Sequence, residues 1–253
     1  MASTGKDRPG RVYQFPRHPE SNKRLTRALN RREAPDENGA AQDRGSEVIM
    51  LSKVRGEIGY LGLADWWLSE FTETEQAYIE SIYQPLGTTP GNPHPLTQGN
   101  VSYIGLTPTQ LLWCLASWFK KAQDRHLARR ILAKAEQESG QEKDVVTLHF
   151  FWELKREVYY ADRDSFPDAL ETAIQACTQQ IAIAPQVAEA MHHNYSHSAF
   201  PKHGGYQLLT KIYQDRGQYD EAINLAKEAK EQGWAGDWDQ LISQCRKAMG
   251  RTK

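Results

Sequence analysis

Residues 204–229 read Gly204-Gly-Tyr-Gln-Leu-Leu-Thr-Lys-Ile-Tyr-Gln-Asp-Arg-Gly-Gln-Tyr-Asp-Glu-Ala-Ile-Asn-Leu-Ala-Lys-Glu-Ala229. Tyr206, Leu209 and Tyr213, and then Ala222, Ala226 and Ala229, recur at steps of three and four. That is the spacing of one face of a helix, not of a strand. Gly217 breaks the pattern and Tyr219 follows it; glycine suits a tight turn because it accepts positive φ without strain. The stretch therefore predicts two helices joined by a short turn, with Ala222 and Ala229 small enough to let them cross closely.

From His203 to about Gly236 this pattern is similar to a tetratricopeptide repeat. Tyr206, Leu209 and Tyr213 stand in the first helix, Gly217 and Tyr219 in the turn, and Ala222 and Ala229 in the second helix. The match departs at Thr210, where the family prefers Gly or Ala, and at Ala226, where a larger residue is usual. Leu112, Leu115, Ala116, Phe119, Ala128, Leu132 and Ala135 take the same relative places in an earlier unit that starts near Thr109. Tyr160, Ala169, Ala173 and Ala176 fit a unit between the two, with a longer first helix and a second helix running to Pro185. The units are spaced irregularly, about 41 and then about 53 residues apart, unlike a regular array. The resemblance implies an all-α fold of helical hairpin repeats, about three units over 107–250. A C-terminal capping helix, with Trp238, Leu241, Ile242, Cys245 and Met249 on one face, closes it.

Upstream, Thr107-Pro-Thr-Gln110 combines an N-cap hydroxyl, a proline at the first helical position and a glutamine three residues after the cap. Residues 88–106 hold Pro90, Gly91, Pro93, Pro95, Gly99 and Gly105 and predict a loop or linker. Residues 47–87 predict a small helical N-terminal module. In it Leu63, Trp67 and Phe71 share a helical face, Thr72 and Glu75 form a capping box, and Tyr78, Ile79, Ile82 and Tyr83 make a buried side. Residues 1–46 are rich in Arg, Pro, Asn and Gly and predict a disordered basic tail, since they offer too little apolar surface to offset ordering entropy.

Residues 1–32 carry nine Lys/Arg against Asp7 and Glu20, a net +7, so the rest must carry −8 to reach the total of −1. That asymmetry keeps nucleic acid possible as a partner through the tail. No apolar run approaches the roughly 18–20 residues of a membrane span, and Met1–Phe15 contains no apolar signal core. A cytoplasmic protein without membrane contact is the expectation. Cys114, Cys177 and Cys245 are far apart and sit in helical patterns, which predicts buried free thiols.

The resemblance implies a concave face formed by the first helix of each unit, where family members grip peptides. On this chain it would hold Trp113, Ser117 and Lys120, then Phe151, Leu154 and Val158, then Gln207, Lys211 and Gln214. His192, His193, His197 and His203 are weak metal candidates in a connection between units, because imidazole is a common ligand but no Cys or HExxH spacing accompanies them. Arg125, His126, Arg129, Arg130 and Lys134 predict a solvated charged face. GxxxxGK[ST], GxGxxG and GxSxG are absent. The expected function is thus a non-catalytic protein- or peptide-binding scaffold or adaptor that needs no cofactor. The alternatives are a nucleic-acid-associated factor using the tail, and a metal-dependent activity at 192–203.

Overall fold

The computed structural model describes residues 54–85, 94–194 and 200–251, with the side chains at 192–194 and 251 outside that description. Residues 53–253 form one compact unit. Among the described residues eleven helices make up nearly all of the regular structure, and there is no strand, only an isolated bridge between Lys202 and Ala235. The expectation for the tail at 1–46 lies outside the described residues.

Three short helices come first: α1 (Gly56–Tyr60), α2 (Ala64–Glu70) and α3 (Glu73–Ile82). The capping box of α3 is formed as its sequence predicts. Glu75 N–H donates to the Thr72 hydroxyl at 3.3 Å, and the Glu75 carboxylate accepts from the Thr72 N–H at 2.9 Å. That backbone hydrogen bond is the largest influence holding the Glu75 carboxyl below its ordinary value. Leu63, Trp67, Phe71, Ile79 and Tyr83 are all buried, while Tyr78 stays 40% exposed and its hydroxyl donates to Asp124.

Residues 88–106 are expected as a loop or linker, and their described part, from 94 onward, contains no helix. Residues 94–99 fold back onto α1, where Arg55, Glu57 and Ile58 donate backbone N–H groups to the carbonyls of Thr97, Pro95 and Leu96. Leu96 is fully buried in the same core as α1–α6. The loop thus serves orphan donors at the start of α1, which has no side-chain cap. Gly56 makes this approach possible: its φ is +57°, and a Cβ would stand 2.6 Å from the Leu96 carbonyl oxygen.

Next come α4 (Pro108–Ala116), extended by a 3-10 turn at Ser117–Phe119, and α5 (Arg125–Ser139). Thr107 caps α4 through Gln110 N–H at 3.2 Å, with Pro108 at the first position. Then follow α6 (Val145–Ala161), capped by Asp144, and α7 (Ala169–Ala182). With 17 residues, α6 is longer than α4 or α9, as the pattern of the middle unit predicts. The second helix of that unit does not continue to Pro185, however. It stops at Ala182, and a separate helix, α8 (Ala184–Asn194), starts with Pro185 in its first turn, where the missing N–H costs no helical bond. Finally, α9 (Gly204–Asp215) and α10 (Tyr219–Glu231) turn at Gly217, whose φ is +71°, and α11 (Trp238–Arg251) packs on α10.

Successive helices therefore pair α4 with α5, α6 with α7 and α9 with α10, and α6 also packs on α4 and α5 while α9 packs on α7. Alanines sit fully buried within the second helices, including Ala128 and Ala135, Ala173, and Ala222, Ala226 and Ala229. Among the described residues no helix is long and apolar enough to cross a membrane.

Gly56→Ala is expected to destabilise the protein by roughly 1–3 kcal/mol, because it adds both backbone strain and a carbonyl collision. Urea denaturation followed by circular dichroism measures this; a variant as stable as the parent would contradict the tight seat of the 94–99 loop.

Candidate functional site

The residues assigned from sequence to a binding face lie on α4 and the turn that follows it, on α6 and on α9. Trp113 is half-buried and stacks on Phe150 of α6, with ring centroids 5.7 Å apart. Ser117 donates its hydroxyl to the Cys114 carbonyl at 2.7 Å, an internal helix contact. Lys120 is exposed and pairs with Glu157 of α6 at 3.4 Å. On α9, Gln207 is exposed and lines a groove of about 280 Å³ with Thr210, Trp238, Gln240 and Gln244. Lys211 pairs with Asp215 one turn later at 3.2 Å, and Gln214 donates to the Cys245 sulfur of α11.

The middle of the expected face is displaced. Phe151, Leu154 and Val158 are 0, 5 and 1% exposed and belong to the core, so Leu154 has no surface to offer a ligand. The reason is that α6 is packed by α4, α5, α7 and α8 and turns its apolar stripe inward. The residues of α6 that reach α4 and α9 are instead Phe150, Glu153, Arg156 and Glu157, a set spaced at three and four.

These side chains form a continuous polar chain. Lys120 meets Glu157, Glu157 lies 3.6 Å from Arg156, and Arg156 pairs with Glu153. Glu153 accepts from the Gln180 amide of α7 at 2.8 Å, and the Gln180 oxygen accepts from the Gly205 N–H of α9 at 2.8 Å. Sequence reasoning missed Glu153, Arg156, Glu157 and Gln180. The available signal was the Gly204-Gly205 pair: a Cβ on Gly204 would collide with the Glu153 and Arg156 side chains, and one on Gly205 would stand 2.7 Å from Gln180 Oε1.

Behind the chain lies a cluster of buried rings. His203 is fully buried, with its ring 5.0 Å from His149 and 4.7 Å from Trp234, while His149 stacks parallel to Trp234. His203 Nδ1 accepts the Tyr206 N–H at 3.3 Å and so caps α9, a role its position before the helix suggests. Its Nε2 has no hydrogen-bond partner among the described residues. Burial, reinforced by His149 and Arg156, pulls the His203 pKa down to about 3, and burial also lowers that of His149. Both rings are neutral at pH 7.

His192, His193 and His197 lie outside the described side chains. Among the described residues no group of three or more His, Cys, Asp or Glu is placed to hold a metal. Cys177 and Cys245 are buried and Cys114 is partly so; all three are free thiols. Burial pushes Cys114 up to about 11 and Cys177 up to about 12, so neither is a thiolate at neutral pH.

The basic run on α5 is not a solvated face. Arg125 and Arg129 both pair with Asp162 after α6, and Arg130 joins Glu70 of α2 and Glu75 of α3. The three side chains are only 17, 16 and 31% exposed. They tie separate elements together, which the local pattern of one helix does not reveal.

What the fold and site define is an all-α protein of paired helices with a polar chain crossing from Lys120, just after α4, to the start of α9. No family model, no curated protein and no solved structure matches it.

The two buried imidazoles give stability a defined pH dependence. Their folded pKa values lie below the ordinary value near 6.5, so the unfolded chain takes up protons first. Stability from this source is complete above about pH 6.5 and falls as pH drops towards 3, with His203 alone costing on the order of 2 kcal/mol by pH 5. Melting curves of the parent and of His203→Asn, which retains a capping acceptor, are expected to converge as pH falls from 7 to 5. Parallel curves over that range would contradict a neutral buried His203.

Proposed function

We propose that this chain is a non-catalytic scaffold of tetratricopeptide-like helical pairs that binds a protein or peptide along the face shared by α4, α6 and α9. The observation that carries the reading is the adjacency of the first helices of the three pairs. Trp113 stacks on Phe150, Lys120 meets Glu157, and Glu153 and Arg156 abut Gly204. Residues more than ninety positions apart thus join one surface bearing an aromatic pair and fixed charges, a combination suited to holding a peptide.

The buried alanines of α5, α7 and α10 and the turn at Gly217 support the family likeness. The departure at Thr210 has a simple physical account. Its hydroxyl donates back to the Tyr206 carbonyl at 2.6 Å, so a side chain larger than Gly or Ala is accommodated without an orphan polar atom. A cytoplasmic adaptor is part of this reading. The nucleic-acid alternative rests on the charge of residues 1–32, and the metal alternative on His192, His193, His197 and His203, of which His203, the one with a described side chain, uses its Nδ1 to accept from the Tyr206 N–H; no observation among the described side chains favours either.

Affinity capture from cell extract followed by mass spectrometry tests the proposal. Lys120→Glu/Lys211→Glu should remove the specific partners that the parent retains, while deletion of residues 1–32 should not. Both lysines are exposed and each reversal replaces a surface ion pair by a like-charge contact, so the double variant should lose no more than about 1 kcal/mol of stability per site. An unchanged partner set from the double variant would contradict the proposed face.

A further inference from the structure

The seat of the 94–99 loop on α1 and α3 involves two carboxyl groups. Glu80 of α3 is only 5% exposed. The Thr97 hydroxyl donates to its Oε1, while its Oε2 makes no hydrogen bond among the described residues and lies 3.8 Å from His94 Nδ1. Glu57 of α1 accepts from the Tyr83 hydroxyl at 3.0 Å, and its backbone N–H donates to the loop carbonyl of Pro95. Both residues are thus tied to the loop, Glu80 through its side chain and Glu57 through its backbone.

Two negative charges at this place have little to offset them. Tyr83 and the Cys114 thiol of α4 face the pair, and neither group has a cationic form. No lysine or arginine of the described residues acts on either carboxyl. His94 does act on Glu80, but an imidazole opposes a carboxylate only when it is protonated. Burial is the largest influence on both carboxyls and pushes them above the ordinary value of 4.5, and the charge of Glu80 raises Glu57 further. Hydrogen bonds from Thr97 and Leu96 to Glu80, and from Tyr83 to Glu57, act the other way and are outweighed.

As pH rises, the unfolded chain therefore gives up these protons first. The contribution of the pair to the loop's seat is complete below about pH 4.5 and is lost as pH climbs through the folded values. That sign is opposite to the one set by the buried imidazoles at α9. A proton on Glu80 also turns its unbonded oxygen from an acceptor into a donor beside the His94 ring. We propose that Glu57 and Glu80 form a pH-sensitive clasp: while the pair retains a proton the 94–99 loop is held on α1 and α3, and when both carboxylates are charged the loop loosens and Leu96 leaves the core.

Amide exchange of the full chain, followed by NMR and divided at each pH by the intrinsic rate, tests this. The amides of Glu57 and Ile58, which donate to the loop, should lose roughly fivefold or more of their protection between pH 5 and pH 8, while those within α10 should not. Glu80→Gln, neutral and of the same shape, should remove most of that fall, and His94→Gln should leave it in place. The 13C signal of the Glu80 carboxyl in the parent should titrate where the protection falls, a readout that needs no substitution. Constant protection in the parent, an equal fall within α10, an undiminished fall in Glu80→Gln, or a Glu80 carboxyl that titrates outside the window of the fall overturns the proposal. So does a fall that His94→Gln abolishes.

Discussion

Gln180 is a fully buried carboxamide that gives its two ends to different helices. Its nitrogen donates to Glu153 of α6 and its oxygen accepts from the N–H of Gly205 in the first turn of α9. A helix start leaves several N–H groups without intrahelical partners, and here they point into protein, not water. Gln180 and His203 satisfy two of them, at Gly205 and Tyr206. Without these acceptors α9 could not begin against α6 and α7 except at the expense of buried unpaired donors. The position of α10 and α11 depends on α9, so this junction sets the placement of the last fifth of the chain.

Several features become intelligible from that constraint. The Gly204-Gly205 pair clears space for the Glu153, Arg156 and Gln180 side chains. His203 stays neutral because burial against Trp234 and His149 disfavours its charged form, which leaves Nδ1 able to accept from Tyr206. Glu153 and Arg156 are held as a pair, since either charge left alone at this depth would be costly. The polar chain extends from this junction outward to Lys120, so the proposed binding face is continuous with the element that fixes the fold. The α5 face is organised by a parallel logic, with Asp162, Glu70 and Glu75 positioning arginines across element boundaries.

Much of the architecture was legible in sequence, where local chemistry alone decides. The caps at Thr72 and Thr107, the turn at Gly217 and the helical stripe Leu63–Trp67–Phe71 all follow from neighbours within four residues. What escaped depended on partners distant in the chain. Leu154 takes a concave-face place only by the repeat resemblance, and the packing of neighbouring helices around α6 turns it inward. The proline-rich stretch before Thr107 has loop composition, yet Leu96 is drawn into the core because α1 lacks a side-chain cap. Arg125, Arg129 and Arg130 sit on a helix that looks solvated, but their carboxylates lie some thirty to sixty residues away. Gln180 carries no local signal at all.

Hydrogen–deuterium exchange of full-length Gln180→Leu, compared with the parent, tests the central claim most directly. Leucine roughly keeps the volume but leaves the Gly205 N–H without its acceptor and takes one donor from Glu153, which retains Arg156, a loss of about 1–3 kcal/mol. Amides throughout α9–α11 should then exchange roughly tenfold faster or more, as one cooperative unit, while α2–α5 change least. Protection of α9–α11 equal to that of the parent would contradict the claim that Gln180 fixes the junction.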